Sequence, residues 1–268
     1  MKIIQTQCNS WEGDPDLGEM LIGQGLIKNK HLLPDYAYVF LALSPLINEK
    51  GIYQTQQIVD EIYREHINEK LIFVCQHIYA NQINWYNGIV FSTHATKFDD
   101  IISIPHYSAT YDISKIREER DILFSFIGHC GTHKIREDLV KKYPDKCFST
   151  EGIWMSEKYR DKYIDLLGKS KFSLAPRGTG VSSLRIYESL AMKSIPVIIS
   201  DDLHLPITYG WDEFSVRINE SDISIIEEIL SEYSDERIKG MSLNGQKFWK
   251  EYCSDENLYK TIINHLTK

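Results

Sequence analysis

Cysteine is scarce in this sequence and badly placed for pairing. The five thiols, Cys8, Cys75, Cys130, Cys147 and Cys253, are odd in number, widely scattered and without a Cys-x-x-Cys pair. That excludes a disulfide framework and a zinc knuckle and leaves buried or idle thiols in a reducing compartment. A long hydrophobic run is missing too. The most apolar stretch, Tyr36–Ile47, is 12 residues long and holds Ser44 and Pro45, against roughly 20 residues needed to cross a bilayer. The opening residues, MKIIQTQCNSWEGD, contain too few apolar side chains for a signal-peptide core, so the expectation is a soluble, cytoplasmic protein without membrane insertion. An excess of positive charge is also absent. Thirty Lys and Arg stand against 38 Asp and Glu, a net charge of −8. Such a surface excludes a sequence-independent grip on nucleic acid or an anionic membrane, but allows a local basic pocket for one anion.

What is present is globular. With 268 residues, 43% hydrophobic and 25% charged, the chain can form one large domain or two of about 100–150 residues. Short apolar runs alternate with amphipathic stretches, the pattern of an α/β protein. Strands are predicted at Lys2–Cys8, Tyr36–Leu43, Leu71–Gln76, Ile89–Thr93 and Ile101–Pro105, with a helix over Thr55–Arg64. The charged stretch Ser114–Arg120 reads as a connector and a domain boundary. Three β-α units follow: Ile122–Ile127 and His133–Tyr143, Cys147–Ser149 and Glu157–Leu167, Phe172–Ala175 and Ser183–Met192. They lead into a strand at Ile195–Ser200 whose apolar run IPVII suits burial on both faces. The tail reads as helices, Ile223–Tyr233 and Gln246–His265 with a break near Ser254.

Ligands of open parallel sheets bind beyond the carboxyl ends of the strands. Two loops there carry chemistry. In FIGHCGTHKIRE, Gly128 to Gly131 lie between a strand and a helix for which Thr132 is a plausible N-cap. The dinucleotide fingerprint fails, because the positions that need glycine after Gly128 are Cys130 and His133. The second loop, Pro176-Arg177-Gly178-Thr179-Gly180, follows a strand and enters a helix. Its glycines permit a tight turn, Ser182 and Ser183 can cap, and Arg177 supplies charge. Arg185 and Glu188, three apart, share one helix face. They can form an exposed ion pair worth about 0.2–0.5 kcal/mol, or face a ligand, Arg185 on a diphosphate and Glu188 on ribose hydroxyls.

The segment around this loop resembles the exostosin family, glycosyltransferase family 47. The likeness rests on Ser170, Phe172, Leu174, Pro176, Gly178, Arg185, Glu188, Ile195–Ile198, Leu205, Pro206, Trp211 and Phe214–Val216, with weaker similarity back to residue 101. The resemblance implies a GT-B fold, two Rossmann-like α/β domains with parallel sheets facing across a cleft. Residues 1–112 would form the acceptor-binding domain and 113–245 the nucleotide-sugar domain, with 246–268 a helix packing back on the first. It implies inverting transfer of a sugar from a UDP-sugar to a glycan hydroxyl. Similar small soluble members, the exostosin-like xylosyltransferases of chlorella viruses among them, make xylose a candidate sugar. Gly128, Arg136, Arg177, Gly178, Ser182, Ser183, Arg185 and Glu188 would hold the nucleotide sugar. A general base is expected in the first domain, at Asp14, Asp16 or His77, with Asp14 preferred and with His94 and His106 as further candidates. No metal is expected, although Asp14-Pro15-Asp16 has the Asp-x-Asp form of metal-binding transferases and Asp201-Asp202 follows a buried strand. A nucleotide-sugar epimerase and an inactive nucleotide-sugar-binding scaffold subunit are the alternatives.

Overall fold

The computed structural model describes residues 1–5, 18–108, 113–152, 157–206 and 210–268. The chain forms two compact units. Met1–Tyr107, Asp202–Ile207 and Tyr252–Lys268 make the first, and Ser108–Asp201 with Thr208–Glu251 the second. The division at 107/108 falls ahead of the charged connector, and a short return segment from Asp202 also joins the first unit, a crossing that no local sequence signal marks.

In the first unit β1 (Lys2–Gln5), β2 (Ala37–Phe40), β3 (Leu71–Val74), β4 (Ile89–Ser92) and β5 (Ile102–Ser103) form a parallel sheet in sequential order. The helices are α1 (Gly18–Lys28) and α2 (Leu43–Glu65), the latter broken at Gly51, where φ is 76°. Alternation along the strands covers both sheet faces. Leu71 and Phe73 pack with Val59 and Ile62 of α2, while Ile72 and Val74 pack with Ile22 and Leu26 of α1. The predicted strand over Tyr36–Leu43 is shorter than expected. Its last apolar residue starts α2 instead, since a four-residue strand already spans the sheet.

The second unit holds β6 (Ile122–Gly128), α3 (Lys134–Lys142), β7 (Cys147–Ser149), α4 (Glu157–Lys169), β8 (Ser170–Pro176), α5 (Leu184–Ala191), β9 (Ile195–Ile199), β10 (Val216–Arg217), α6 (Ile226–Ser231) and α7 (Asp235–Phe248). Its parallel sheet has the order β10-β9-β8-β6-β7. Phe124, Phe172 and Val197 lie in one core with Leu139 of α3 and Met241 of α7. On the other face Ile127 packs with Tyr163 and Leu167 of α4. The chain then passes a π turn at Trp249–Cys253 to α8 (Lys260–Leu266), whose Ile262 and Ile263 join Ile22 and Leu26 of the first unit. Each unit is thus a parallel α/β sheet clothed by helices on both faces, the two α/β domains that the sequence led us to expect.

Where α4 passes the connector the backbones nearly touch. A Cβ at Gly168 would lie 2.1 Å from the Lys115 carbonyl oxygen, and the Gly168 carbonyl accepts the Arg117 N–H at 3.2 Å. Gly168→Ala therefore forces two backbones apart. It is expected to destabilise by about 2 kcal/mol despite the roughly 1 kcal/mol that alanine gains in a helix. Chemical denaturation of the two proteins checks the sign.

Candidate functional site

The strand order of the second unit reverses between β6 and β8: from β6 the chain goes out to β7 and comes back to the other side. At such a reversal the two connections leave in opposite directions and open a crevice beyond the carboxyl ends of the strands. Gly128 ends β6 and Pro176 ends β8, so both loops singled out in the sequence empty into this crevice.

Arg136, on the first turn of α3, crosses beneath it. Its Nε donates to the Arg177 carbonyl at 2.8 Å, Nη2 to the Pro176 carbonyl at 3.1 Å and Nη1 to the His129 carbonyl at 3.2 Å. The residue is only 7% exposed. Burial, with Arg185 nearby adding to it, pushes its pKa down to about 9. Three of its five N–H groups go to backbone acceptors. It thereby ties the end of β8 to the loop after β6, a positioning role.

Arg185 and Glu188 do not need each other as an ion pair to be held. Arg185 donates from Nε (3.1 Å) and Nη2 (2.7 Å) to the Ile127 carbonyl, and its guanidinium lies over the rings of Phe126 and Tyr163. Glu188 accepts a hydrogen bond from the Tyr163 hydroxyl. Gly128 explains the fit. A Cβ there would lie 2.4 Å from Arg185 Nη2, so glycine is needed to let the guanidinium reach the strand. Gly178 has a similar part on a smaller scale, since a Cβ would stand 3.1 Å from Arg136 Nη2.

Arg177 continues the β8–β9 ladder through its N–H to the Ile199 carbonyl (3.0 Å), and its Nη1 lies 3.9 Å from Glu220 Oε1. Ser183 occupies the N-cap position of α5, but its hydroxyl makes no cap bond. That hydroxyl is buried with no hydrogen-bond partner, and so is the hydroxyl of Ser200 just beyond β9; the residues are 5% and 4% exposed. Buried polar atoms without partners are rare, because each forfeits its hydration, and at a crevice they point to a missing ligand. Ser182 is buried beside Ser183.

The cap of α3 is His133 rather than Thr132. His133 Nδ1 accepts the Ile135 N–H at 3.4 Å, while the Thr132 hydroxyl donates to the His129 carbonyl at 3.2 Å. Burial first, then the charge of Arg177, lowers the His133 pKa, so the ring is neutral with its proton on Nε2. His133, Glu220, Tyr163 and Ser200 were not among the residues expected from sequence. For His133 a signal existed, its place at the start of a predicted helix. The others reach the site from distant elements, and no spacing rule finds them.

In the first unit, Asp14 and Asp16 lie outside the described residues. His77, after β3, is half-buried and its pKa is lowered by that burial. Its Nδ1 accepts the Tyr79 N–H at 3.1 Å and its Nε2 lies 3.1 Å from Asn48 Oδ1. Nδ1 is thus the acceptor and Nε2 the donor, and the lone pair a general base would use is already taken. His94 and His106 meet edge to face at 6.0 Å between ring centroids, and His106 Nδ1 lies 3.1 Å from the Tyr107 carbonyl oxygen. Asp201 is engaged in a reciprocal turn, its Oδ1 accepting the Glu220 N–H (2.9 Å) and its N–H donating to Glu220 Oε1 (3.2 Å). Among the described residues no group of three His, Cys, Asp or Glu side chains is placed to hold a metal ion, and no helix is long and apolar enough to cross a membrane.

Residues 38–233 match the model of the Exostosin GT47 domain. The chain belongs to the exostosin GT47 family. The match runs from β2 to the turn after α6 and includes the whole crevice of the second unit. Among curated relatives, a "Probable glucuronosyltransferase" of Oryza sativa subsp. japonica is 28% identical over 155 residues, covering 52% of this chain and 35% of that protein. An "Exostosin-1 homolog" of Caenorhabditis elegans is 34% identical over 95 residues, covering 35% and 25%. The matches thus take in about a third or less of the relatives' own lengths. Among solved structures, a glycosyltransferase of Rickettsia africae aligns with a TM-score of 0.44 at 10% identity, covering 100% of this chain and 98% of that one. The Anabaena protein Alr3699/HepE, solved with UDP and glucose, aligns with a TM-score of 0.44 at 9% identity, covering 97% and 84%. Gly128, Arg136, Arg177, Gly178, Ser182, Ser183, Arg185 and Glu188 all fall within the matched span.

Proposed function

We propose that this exostosin-family chain transfers a sugar from a UDP-sugar to a hydroxyl of a glycan acceptor, with inversion and without a required metal. What carries the reading is the pair of buried, unpartnered hydroxyls of Ser183 and Ser200 at the carboxyl edge of β8 and β9, with Arg177 on the loop between. Serine hydroxyls, an arginine and the start of α5 are the groups that hold a diphosphate. The acceptor oxygen attacks the anomeric carbon as the bond to the diphosphate breaks, the acceptor proton passes to a base, and UDP leaves. Arg177 and Arg185 would offset the charge that develops on the leaving diphosphate, which is the part a metal plays elsewhere. Glu188, steadied by Tyr163, is proposed to accept the ribose hydroxyls. Asp14 is proposed as the base, with Asp16 beside it in sequence, because the His77 lone pair is occupied.

The test is UDP release from UDP-xylose and from UDP-glucuronic acid, with and without oligosaccharide acceptors. Release that rises with acceptor and survives a chelator is expected. Interconversion of the donor sugar without acceptor identifies an epimerase instead, and binding without turnover a scaffold. Activity that a chelator abolishes and Mn²⁺ restores overturns metal independence.

A further inference from the structure

A cavity lies in the second unit at the opposite edge of its sheet. Residues 117–120 run into β6, Lys171 is the second residue of β8, and Lys193 precedes β9, so the amino ends of three adjacent strands form its floor. It encloses about 750 Å³, within the range of small-molecule pockets. Strands of five to seven residues, rising about 3.3 Å each, put roughly 15–20 Å between this edge and the carboxyl-end crevice. We propose that this cavity is a second binding site, for an organic phosphate.

Charge makes the first part of the case. Arg117, Arg120, Lys171, Lys193 and Lys239 line the cavity, against Glu118, Glu119 and Asp235. This is a local positive excess in a chain of net charge −8. Some of that charge is already committed. Arg120 donates to the carbonyls of Leu167, Ser170 and Met192, and Lys171 pairs with Asp235 at 2.6 Å. Arg117 reaches Asp165 only at 3.9 Å. The ammonium groups of Lys193 and Lys239 have no side-chain partner among the described residues. Two unneutralised cations with a loosely held guanidinium beside them suit a multiply charged anion. Ile116, Ile238 and the half-exposed Leu243 add apolar surface for an organic body.

The backbone at Lys193 makes the second part independently. Its φ is +56°, a conformation that glycine adopts at lower cost. Lys193 follows the end of α5, where its N–H donates to the Leu190 carbonyl (3.2 Å) and the Ser194 N–H to the Ser189 carbonyl (2.9 Å). The Lys193 carbonyl accepts the Ser242 hydroxyl at 2.7 Å, which pins the turn. Helices commonly end in this way with glycine at this position. A lysine held there keeps a strained backbone in exchange for a side chain in the cavity. Its attraction to the carboxyl end of α5 is the competing explanation, and the two separate by experiment.

The experiment is calorimetric titration of the full chain with phenyl phosphate and with inorganic phosphate, at low salt and with UDP saturating. Phenyl phosphate is expected to bind more tightly than inorganic phosphate. Lys193→Gly and Lys239→Ala are each expected to weaken phenyl phosphate about tenfold or more. Lys50→Ala, which removes an exposed charge in the first unit, should leave the affinity unchanged. Lys193→Gly relaxes the backbone, so its unfolding temperature should be equal to or above that of the parent, which separates lost binding from lost fold. Wild-type affinity in Lys193→Gly, an equal loss in Lys50→Ala, or no binding to the parent chain overturns the site. Equal affinity for the two phosphates overturns its organic specificity.

Discussion

On the proposed function, Arg185→Ala is expected to lower kcat/KM for UDP-sugar transfer by two to three orders of magnitude while the protein stays folded. Loss of one preorganised donor at a site of developing negative charge costs about 2.7–4 kcal/mol in transition-state stabilisation. The Arg185 geometry is of that kind. Two of its donors are fixed on the Ile127 carbonyl and its plane is held over Phe126 and Tyr163. The guanidinium therefore pays little ordering entropy when a diphosphate arrives. Arg185→Lys should not rescue, because an ammonium has no planar fork to hold the carbonyl through two donors or to lie over Phe126 and Tyr163. Gly128→Ala offers a check that removes no charge. Its methyl group would occupy the place of Nη2, and most of the kinetic loss should reappear. The double variant should be scarcely worse than either single one, since both displace the same group. Steady-state kinetics of the parent and the four variants decide it, and unchanged kcat/KM in Arg185→Ala removes this residue from the site.

The largest effect on stability is expected from Arg136→Ala. The carbonyls of His129, Pro176 and Arg177 lose their shared donor. A buried acceptor left unpaired costs about 1–3 kcal/mol. Water entering the gap recovers part of this, so a net loss of about 3–5 kcal/mol is expected. For a unit of this size that corresponds to a fall in Tm of roughly 10 °C or more. Arg136→Lys should keep little of the stability, because a single ammonium cannot reach three carbonyls in one plane. If the variant unfolds at the parental temperature but loses nucleotide affinity, Arg136 acts on the ligand and not on the scaffold.

The contrast between these two arginines shows how far the site was legible from sequence. Both were named as groups for a diphosphate, since charge near a strand-to-helix loop is what sequence can register. Arg136 and its carbonyl partners are 40 and 41 residues apart on the β8 side, and Arg185 and Ile127 are 58 apart. Only the packing of α3 and α5 against the ends of β6 and β8 shows which backbone carbonyls each guanidinium holds. The same holds for the cap of α3. Thr132 has the better capping side chain, but its hydroxyl turns back to His129, and the extended backbone of His133 brings the imidazole to the helix start.

By itself the sequence determined the α/β class, the helix-strand alternation of the second unit and the loop from Pro176 to Ser183. All of these depend on local periodicity and on residues close together in the chain. Of the thiols expected to be buried or idle, Cys75, Cys130, Cys147 and Cys253 are free and buried, and Cys8 lies outside the described residues. Tertiary structure alone decided the reversal of strand order between β6 and β8, the return of the segment from Asp202 to the first unit, and the cavity at the amino edge of the second sheet. Each depends on contacts between elements far apart in sequence, whose energies come from buried area and shared hydrogen bonds and leave no local pattern to read.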